Sequence, residues 1–109
     1  MKKIYLAIPY TGYEEKSFDI ANRVAAKLIL EGYIVLSPIS MSHPIAQLGV
    51  LEGNWDTWKT IDMEFIKWCD EVVVIEFNEQ GVLESVGVQD EISFAKEIGK
   101  EVSFFKWEE

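Results

Sequence analysis

Glu71-Val72-Val73-Val74-Ile75-Glu76-Phe77 is a nearly continuous hydrophobic run, and it is followed, after Asn78 to Glu84, by Ser85-Val86-Gly87-Val88-Gln89-Asp90-Glu91-Ile92-Ser93-Phe94-Ala95-Lys96-Glu97-Ile98-Gly99. The first stretch reads as a strand covered on both faces, as in a parallel sheet. In the second, positions 88, 91, 92, 95, 98 and 99 recur at helical spacing. Downstream, Glu101 to Phe105 reads as a last strand. Upstream, Trp58 to Cys69 is predicted as a helix with the stripe 58, 61, 62, 65, 66, 69. Lys3 to Ile8 is predicted as the first strand, with a turn through Pro9-Tyr10-Thr11-Gly12 and a helix from about Glu14 to Glu31. The apolar face of that helix is assigned to Phe18, Ala21, Ala25, Leu28 and Ile29, and Gly32 stops it where a left-handed residue is usual. Tyr33 to Ser37 is a second strand, closed by Pro38. Ile39 to Trp55 carries no clear period and is expected to be irregular, as is the loop Asn78 to Glu84.

Strands alternating with helices, without linker, repeat or low-complexity segment, imply one domain over residues 1–109. Its fold class is α/β, a flavodoxin-like or Rossmann-like three-layer sandwich around a parallel sheet of four to five strands. In such sheets ligands bind beyond the carboxyl ends of the strands, where the strand order reverses. Pro9-Tyr10, Ser37-Pro38 and the Asn78 to Gly87 stretch all fall at such ends.

With 109 residues and 49% hydrophobic content the chain can bury a real core. No apolar run is long enough to cross a bilayer, and Met1-Lys2-Lys3 leads into only the short run Ile4 to Pro9, so no membrane partner is expected and a cytoplasmic location is. The single Cys69 excludes an internal disulfide and reads as a small core residue. One histidine and one cysteine leave no plausible zinc or iron centre, and no metal or other cofactor is expected. A net charge of -9 argues against a nucleic-acid polymer as partner, since such proteins neutralise phosphates with clustered Lys and Arg. A small phosphorylated ligand held by helix-start N–H groups is still compatible with it.

Glu91 breaks the pattern of its helix. It occupies a stripe otherwise made of apolar residues and glycine, where an ionised carboxylate costs several kcal/mol unless paired. Asp62 does the same on the preceding helix. Two inward carboxylates on two helices define a candidate site, of the kind whose pKa values an active site perturbs. Ser85-Val86-Gly87, at the start of the Glu91 helix, supplies a hydroxyl, a side-chain-free approach and unpaired N–H groups able to hold an anion. The commoner reading of Ser85 alone is an N-cap, and of Gly87 a packing glycine.

These features resemble the nucleoside 2-deoxyribosyltransferases and the related deoxynucleoside 5-monophosphate N-glycosidases. Ile4-Tyr5-Leu6-Ala7 is similar to that family's opening strand, whose Tyr hydroxyl touches the catalytic carboxylate. Asp62, eight residues before Asp70, resembles the Asp of the substrate pocket. Ser85-x-Gly87-Val88-x-x-Glu91 resembles the signature whose final Glu is the nucleophile, with Ala95 and Gly99-Lys100 matching its continuation. Pro9-Tyr10, Ser37-Pro38-Ile39, Ser42-His43-Pro44 and Trp58 are more similar to a small branch of that superfamily. The glycine-rich phosphate loop of the monophosphate enzymes is replaced here by Thr11-Gly12-Tyr13-Glu14-Glu15-Lys16, whose two acids disfavour a phosphate. The chain stops soon after its last strand, and the C-terminal segment with which family members complete a neighbour's site is expected to be missing.

The resemblance implies a small-molecule nucleoside or nucleotide as partner and a homodimer or larger homo-oligomer. It also implies chemistry at an N-glycosidic bond, as hydrolysis or as transfer to a second base. Glu91 would attack C1 to form a glycosyl-enzyme, Tyr5 would orient it, and Asp62 would bind the ligand or protonate the leaving base. Pro9, Tyr10, Ser37, His43, Trp58, Ser85 and Gly87 complete the expected substrate site. Each residue also has a plainer reading. Tyr5 can be a strand residue whose hydroxyl finds a partner. Asp62 can pair with Lys59 or Arg23, the commoner fate of an isolated helical Asp. His43 in a Ser-His-Pro turn is more often structural than a general acid. Trp55, Trp58 and Tyr10 can stack on a base or pack in the core. A second class of function uses the same crevice without cleavage, a nucleotide-binding protein that senses or sequesters its ligand. A third, an interaction module built on the 39–57 stretch, rests on its length alone.

Overall fold

The computed structural model describes residues 1–49 and 55–108. Strands β1 (Lys3–Ala7), β2 (Ile34–Leu36), β3 (Glu71–Glu76) and β4 (Glu101–Lys106) form a four-stranded, all-parallel sheet in the order β2-β1-β3-β4. Tyr5 lies opposite Leu36 on one side and Val72 on the other, and Val74 opposite Phe104. The chain runs from β1 outward to β2, then returns past β1 to β3. The strand order therefore reverses between β1 and β3, where parallel sheets open a crevice at their carboxyl ends.

Side-chain alternation along the strands sorts the core into two layers. Ile4 and Leu6 of the first strand and Ile8 just after it, with Val73 and Ile75 of the third, meet helix α1 (Glu14–Leu30) through Ile20, Ala21, Val24 and Leu28. Tyr5, Ala7, Val72 and Val74 point the other way. There they meet α3 (Trp55–Trp68) through Ile66 and α5 (Val86–Glu97) through Val88, Ile92 and Ala95, with Cys69 buried beside them. Helices on both faces of a parallel sheet make the expected three-layer α/β sandwich.

Three expectations are corrected. The stretch after Pro38 is not irregular throughout, because Pro38–Ala46 forms a helix, α2, with proline in its first turn, where the missing N–H costs nothing. Residues 50–54 of that stretch lie outside the described residues. The loop after the third strand contains a six-residue helix, α4 (Glu79–Glu84), capped by Asn78, whose side chain accepts from the Gly81 N–H at 3.3 Å. On α1 the buried face runs through Ser17, Ile20, Ala21, Val24 and Leu28, while Ile29 is exposed. Phe18 turns sideways to stack on His43, with ring centroids 4.4 Å apart, and this rotates the face away from the expected one. Among the described residues no helix is long and apolar enough to cross a membrane.

Candidate active site

Tyr5 stands at the middle of β1 with its side chain fully buried, and its hydroxyl donates to Oε2 of Glu91 on α5. Asp62 enters from α3, and it and Glu91 are each only 6% exposed. Neither of the expected cations reaches Asp62. Arg23 pairs with Asp19 at 2.9 Å, and Lys59 lies 3.8 Å from Asp90. One carboxylate oxygen of Asp62, Oδ1, is buried without a partner among the described residues. An orphaned acceptor of this kind costs free energy in an apolar interior, and its usual compensation is a bound donor or a proton.

Electrostatics give the second answer. Burial raises the Glu91 pKa to about 8, with the Tyr5 hydrogen bond opposing the rise and the charges of Asp62 and Asp90 adding to it. Burial likewise raises Asp62 to about 7, again opposed by Tyr5. Two acids so placed disfavour double ionisation and titrate as a pair around neutrality. Tyr5 itself stays a phenol, its pKa pushed well up by burial and then by Glu91 and Asp62.

Above this group opens a cavity of about 520 Å³, of a size ordinary for a small-ligand site. It sits at the carboxyl ends of the strands. Pro9 and Tyr10 from the turn after β1, Pro38 and Ile39 from the start of α2, and Trp58 and Asp62 from α3 line it, with Glu91 on α5. The turn after β1 is fixed by the buried Ser17 hydroxyl, which donates to the Pro9 carbonyl. Ser85 and Gly87 also face the cavity. Ser85 N-caps α5, its Oγ accepting from the Val88 N–H at 3.2 Å. Gly87 makes room for an indole, since a Cβ there would lie 3.3 Å from the Trp55 ring. The Trp55 Nε1–H donates to Asp90 at 2.7 Å, which holds the ring over the start of α5.

The fold thus gathers Asp62, Glu91, Pro9, Tyr10, Trp58, Ser85 and Gly87 around one cavity, with Tyr5 buried behind Glu91. Ser37 and His43 are not on its wall. The Ser37 hydroxyl bonds Ser40 at 2.7 Å, and Ser40 in turn donates to Asn22. His43 is buried behind Tyr10, with its Nδ1 2.6 Å from the Tyr10 hydroxyl. Sequence reasoning missed the contributions of Tyr13, Ser42 and Glu84 to the wall and of Asp90 as the indole's anchor. Their polarity is ordinary for helix surfaces and carried no signal.

With this geometry in place, the comparisons fit the class of fold. The structure is similar to that of a 2-desoxiribosyltransferase from Leishmania mexicana, with a TM-score of 0.68 at 18% sequence identity over 99% of this chain. The chain spans 66% of that protein's length, just under two thirds. No curated protein matches it. Residues 2–108 match the model of DUF1937, a domain of unknown function, and the chain belongs to that family.

Proposed function

We propose that this protein cleaves or transfers at the N-glycosidic bond of a deoxynucleoside, with Glu91 as nucleophile. The observation that carries this reading is the pairing of the Tyr5 hydroxyl with the buried Glu91 carboxyl beside a second buried acid, at the floor of a switch-point cavity. The likeness to a deoxyribosyltransferase fold supports it as analogy.

The chemistry needs the pair's one proton on Asp62; burial leaves a single proton on the two acids near neutral pH, held more by Glu91 than by Asp62, and the reaction runs through the minor form in which it has passed to Asp62. An ionised Glu91 attacks C1 of the sugar as the C1–N bond breaks. The bond's electron pair goes to the base nitrogen, which takes a proton from Asp62. Water or a second base then attacks C1 from the vacated face, giving up a proton to Asp62, and Glu91 departs. Two displacements leave the anomeric configuration retained.

The described wall of the cavity carries three carboxylic acids, Asp62, Glu84 and Glu91, and no Lys, Arg or His. The Gly12 N–H, in the turn where a phosphate would be cradled, is already taken by the Glu14 carboxylate at 2.9 Å. A phosphate dianion would meet repulsion there without a compensating donor cluster, which favours the unphosphorylated nucleoside over its 5-monophosphate.

The binder without chemistry is supported by one fact. Burial keeps Glu91 largely protonated at pH 7, which suits a hydrogen-bonding acid as well as a nucleophile. Incubating wild type and Glu91→Ala with deoxynucleosides and their 5-monophosphates, with and without a free base, separates the readings by chromatography of the released base. Release by wild type alone, from nucleosides in preference to monophosphates, is the expected result. Binding without release by either protein would establish the second reading instead.

A further inference from the structure

On the α1 side of the cavity a second polar group is assembled that the carboxylate chemistry does not use. Tyr10 faces the cavity. Behind it, Nδ1 of His43 is 2.6 Å from the Tyr10 hydroxyl, and Nε2 is 3.2 Å from Oε1 of Glu15. The imidazole is held edge-on to Tyr10 and stacked on Phe18, and is only 3% exposed. Nε2 is buried and meets no aligned hydrogen-bond partner among the described residues, and the Glu15 carboxylate lies within reach of it. Glu15 is itself anchored by the Gln47 side-chain amide at 3.0 Å.

We infer that Glu15 and His43 are positioning residues that hold the Tyr10 hydroxyl as a hydrogen-bond acceptor toward the ligand, so that the cavity reads a donor group on an uncharged nucleoside. A neutral imidazole carries one N–H. The neighbouring Glu15 carboxylate selects Nε2 for it, which leaves Nδ1 bare. The Tyr10 phenol, kept protonated by partial burial and by Glu14 and Glu15, then spends its only proton on Nδ1. Its lone pairs are what it presents to the cavity. With the wall's carboxylates also offering acceptors, the matching ligand face is an exocyclic amine or a sugar hydroxyl. The ligand half of this inference rests on the nucleosidic reading above; the tautomer half does not.

His43 is the chain's single histidine, so its ring nitrogens are assignable without ambiguity. A long-range proton–nitrogen spectrum of the labelled protein at pH 8 is expected to show the Nε2–H tautomer, with an Nδ1 resonance that moves in Tyr10→Phe. Glu15→Ala should admit the other tautomer and Glu15→Gln, which keeps an acceptor oxygen, should restore the first. An Nδ1–H form, or an Nδ1 signal indifferent to Tyr10→Phe, would overturn the relay. For the ligand, 2-deoxyadenosine is compared in a Glu91→Gln background with purine 2-deoxyriboside, which lacks the amine, and with analogues lacking the 3- or 5-hydroxyl, by quenching of tryptophan fluorescence. One of the three deletions should weaken binding about 3- to 10-fold, the worth of one hydrogen bond, and Tyr10→Phe should erase that difference. Equal affinity for all four overturns the donor reading. Binding by none overturns it together with the nucleosidic function, and the imidazole spectrum decides the relay independently.

Discussion

Tyr5 and Glu91 are 86 positions apart in sequence and share a buried hydrogen bond in which the phenol donates to the carboxylate. The bond joins the centre of the sheet to the helix that packs on it. Among the described residues it is also the one contact that stabilises the ionised form of Glu91 against burial, Asp62 and Asp90.

Tyr5→Phe should therefore push the Glu91 pKa further up. If Glu91 ionisation limits turnover, the rising limb of kcat/KM against pH moves alkaline by about one unit, and activity at neutral pH falls about tenfold, as expected for loss of a hydrogen bond to a charged group. A pH–rate profile of base release checks this. An unmoved limb would mean that another group governs it.

Glu91→Gln should stabilise the fold, and increasingly so as pH rises. Folding raises the Glu91 pKa from its ordinary 4.5 to about 8, so the native state retains a proton that the unfolded chain releases. Its contribution is intact below the unfolded value and is lost as pH climbs through about 8. Glutamine keeps the shape without that penalty. Urea titrations at pH 5, 7 and 9 should show the stability gap between Glu91→Gln and wild type widening, and a constant gap would contradict the raised pKa.

Ser85→Ala removes the N-cap of α5 and should cost about 1 kcal/mol. The preference between a nucleoside and its 5-monophosphate should not change, because the described wall around Ser85 carries acids and no cation, so its one remaining O–H donor does not make a phosphate site. Denaturation together with a binding comparison tests both halves. A selective loss of monophosphate binding would instead assign Ser85 to the phosphate.

Gly87→Ala forces the Trp55 ring to shift, since the new methyl would lie 3.3 Å from it. A cost of about 1–2 kcal/mol is expected, with the indole's bond to Asp90 lengthened or broken. Trp55→Ala in the same background should remove most of the penalty, and a double-mutant cycle measures that coupling. Independence of the two substitutions would place the strain elsewhere.

The sheet was legible because its strands announce themselves. The Val72 to Ile75 run is apolar on both faces, and each long helix has a clear stripe. Glu91 and Asp62 were legible for the opposite reason, as the residues that violate their stripes. Pro38–Ala46 was missed because two prolines and three small hydroxyl or imidazole positions leave no period, although Pro38 begins the helix where proline is tolerated. Pro44 sits inside it without an N–H to give, a feature that reads in sequence as a break. Glu79–Glu84 is too short for any periodicity to register. The rotation of α1 depended on Phe18 finding His43, a contact between two helices that no local pattern encodes. Glu15 was hidden the same way, as an acid in a first helical turn where acids are commonplace.

The two-sided first strand has a practical consequence. Ile4 and Leu6, with Ile8 just beyond the strand, pack into the layer with α1, where Leu6 and Ile8 also reach the cavity wall, while Tyr5 on the other face holds Glu91. Repacking can therefore be attempted on the α1 layer at Ile20, Ala21, Val24, Val73 and Ile75, a sheet's thickness away from Glu91. A designer wanting a sturdier scaffold can write in these five positions, none of which lines the cavity, and leave Leu6 and Ile8, which serve both core and cavity, untouched.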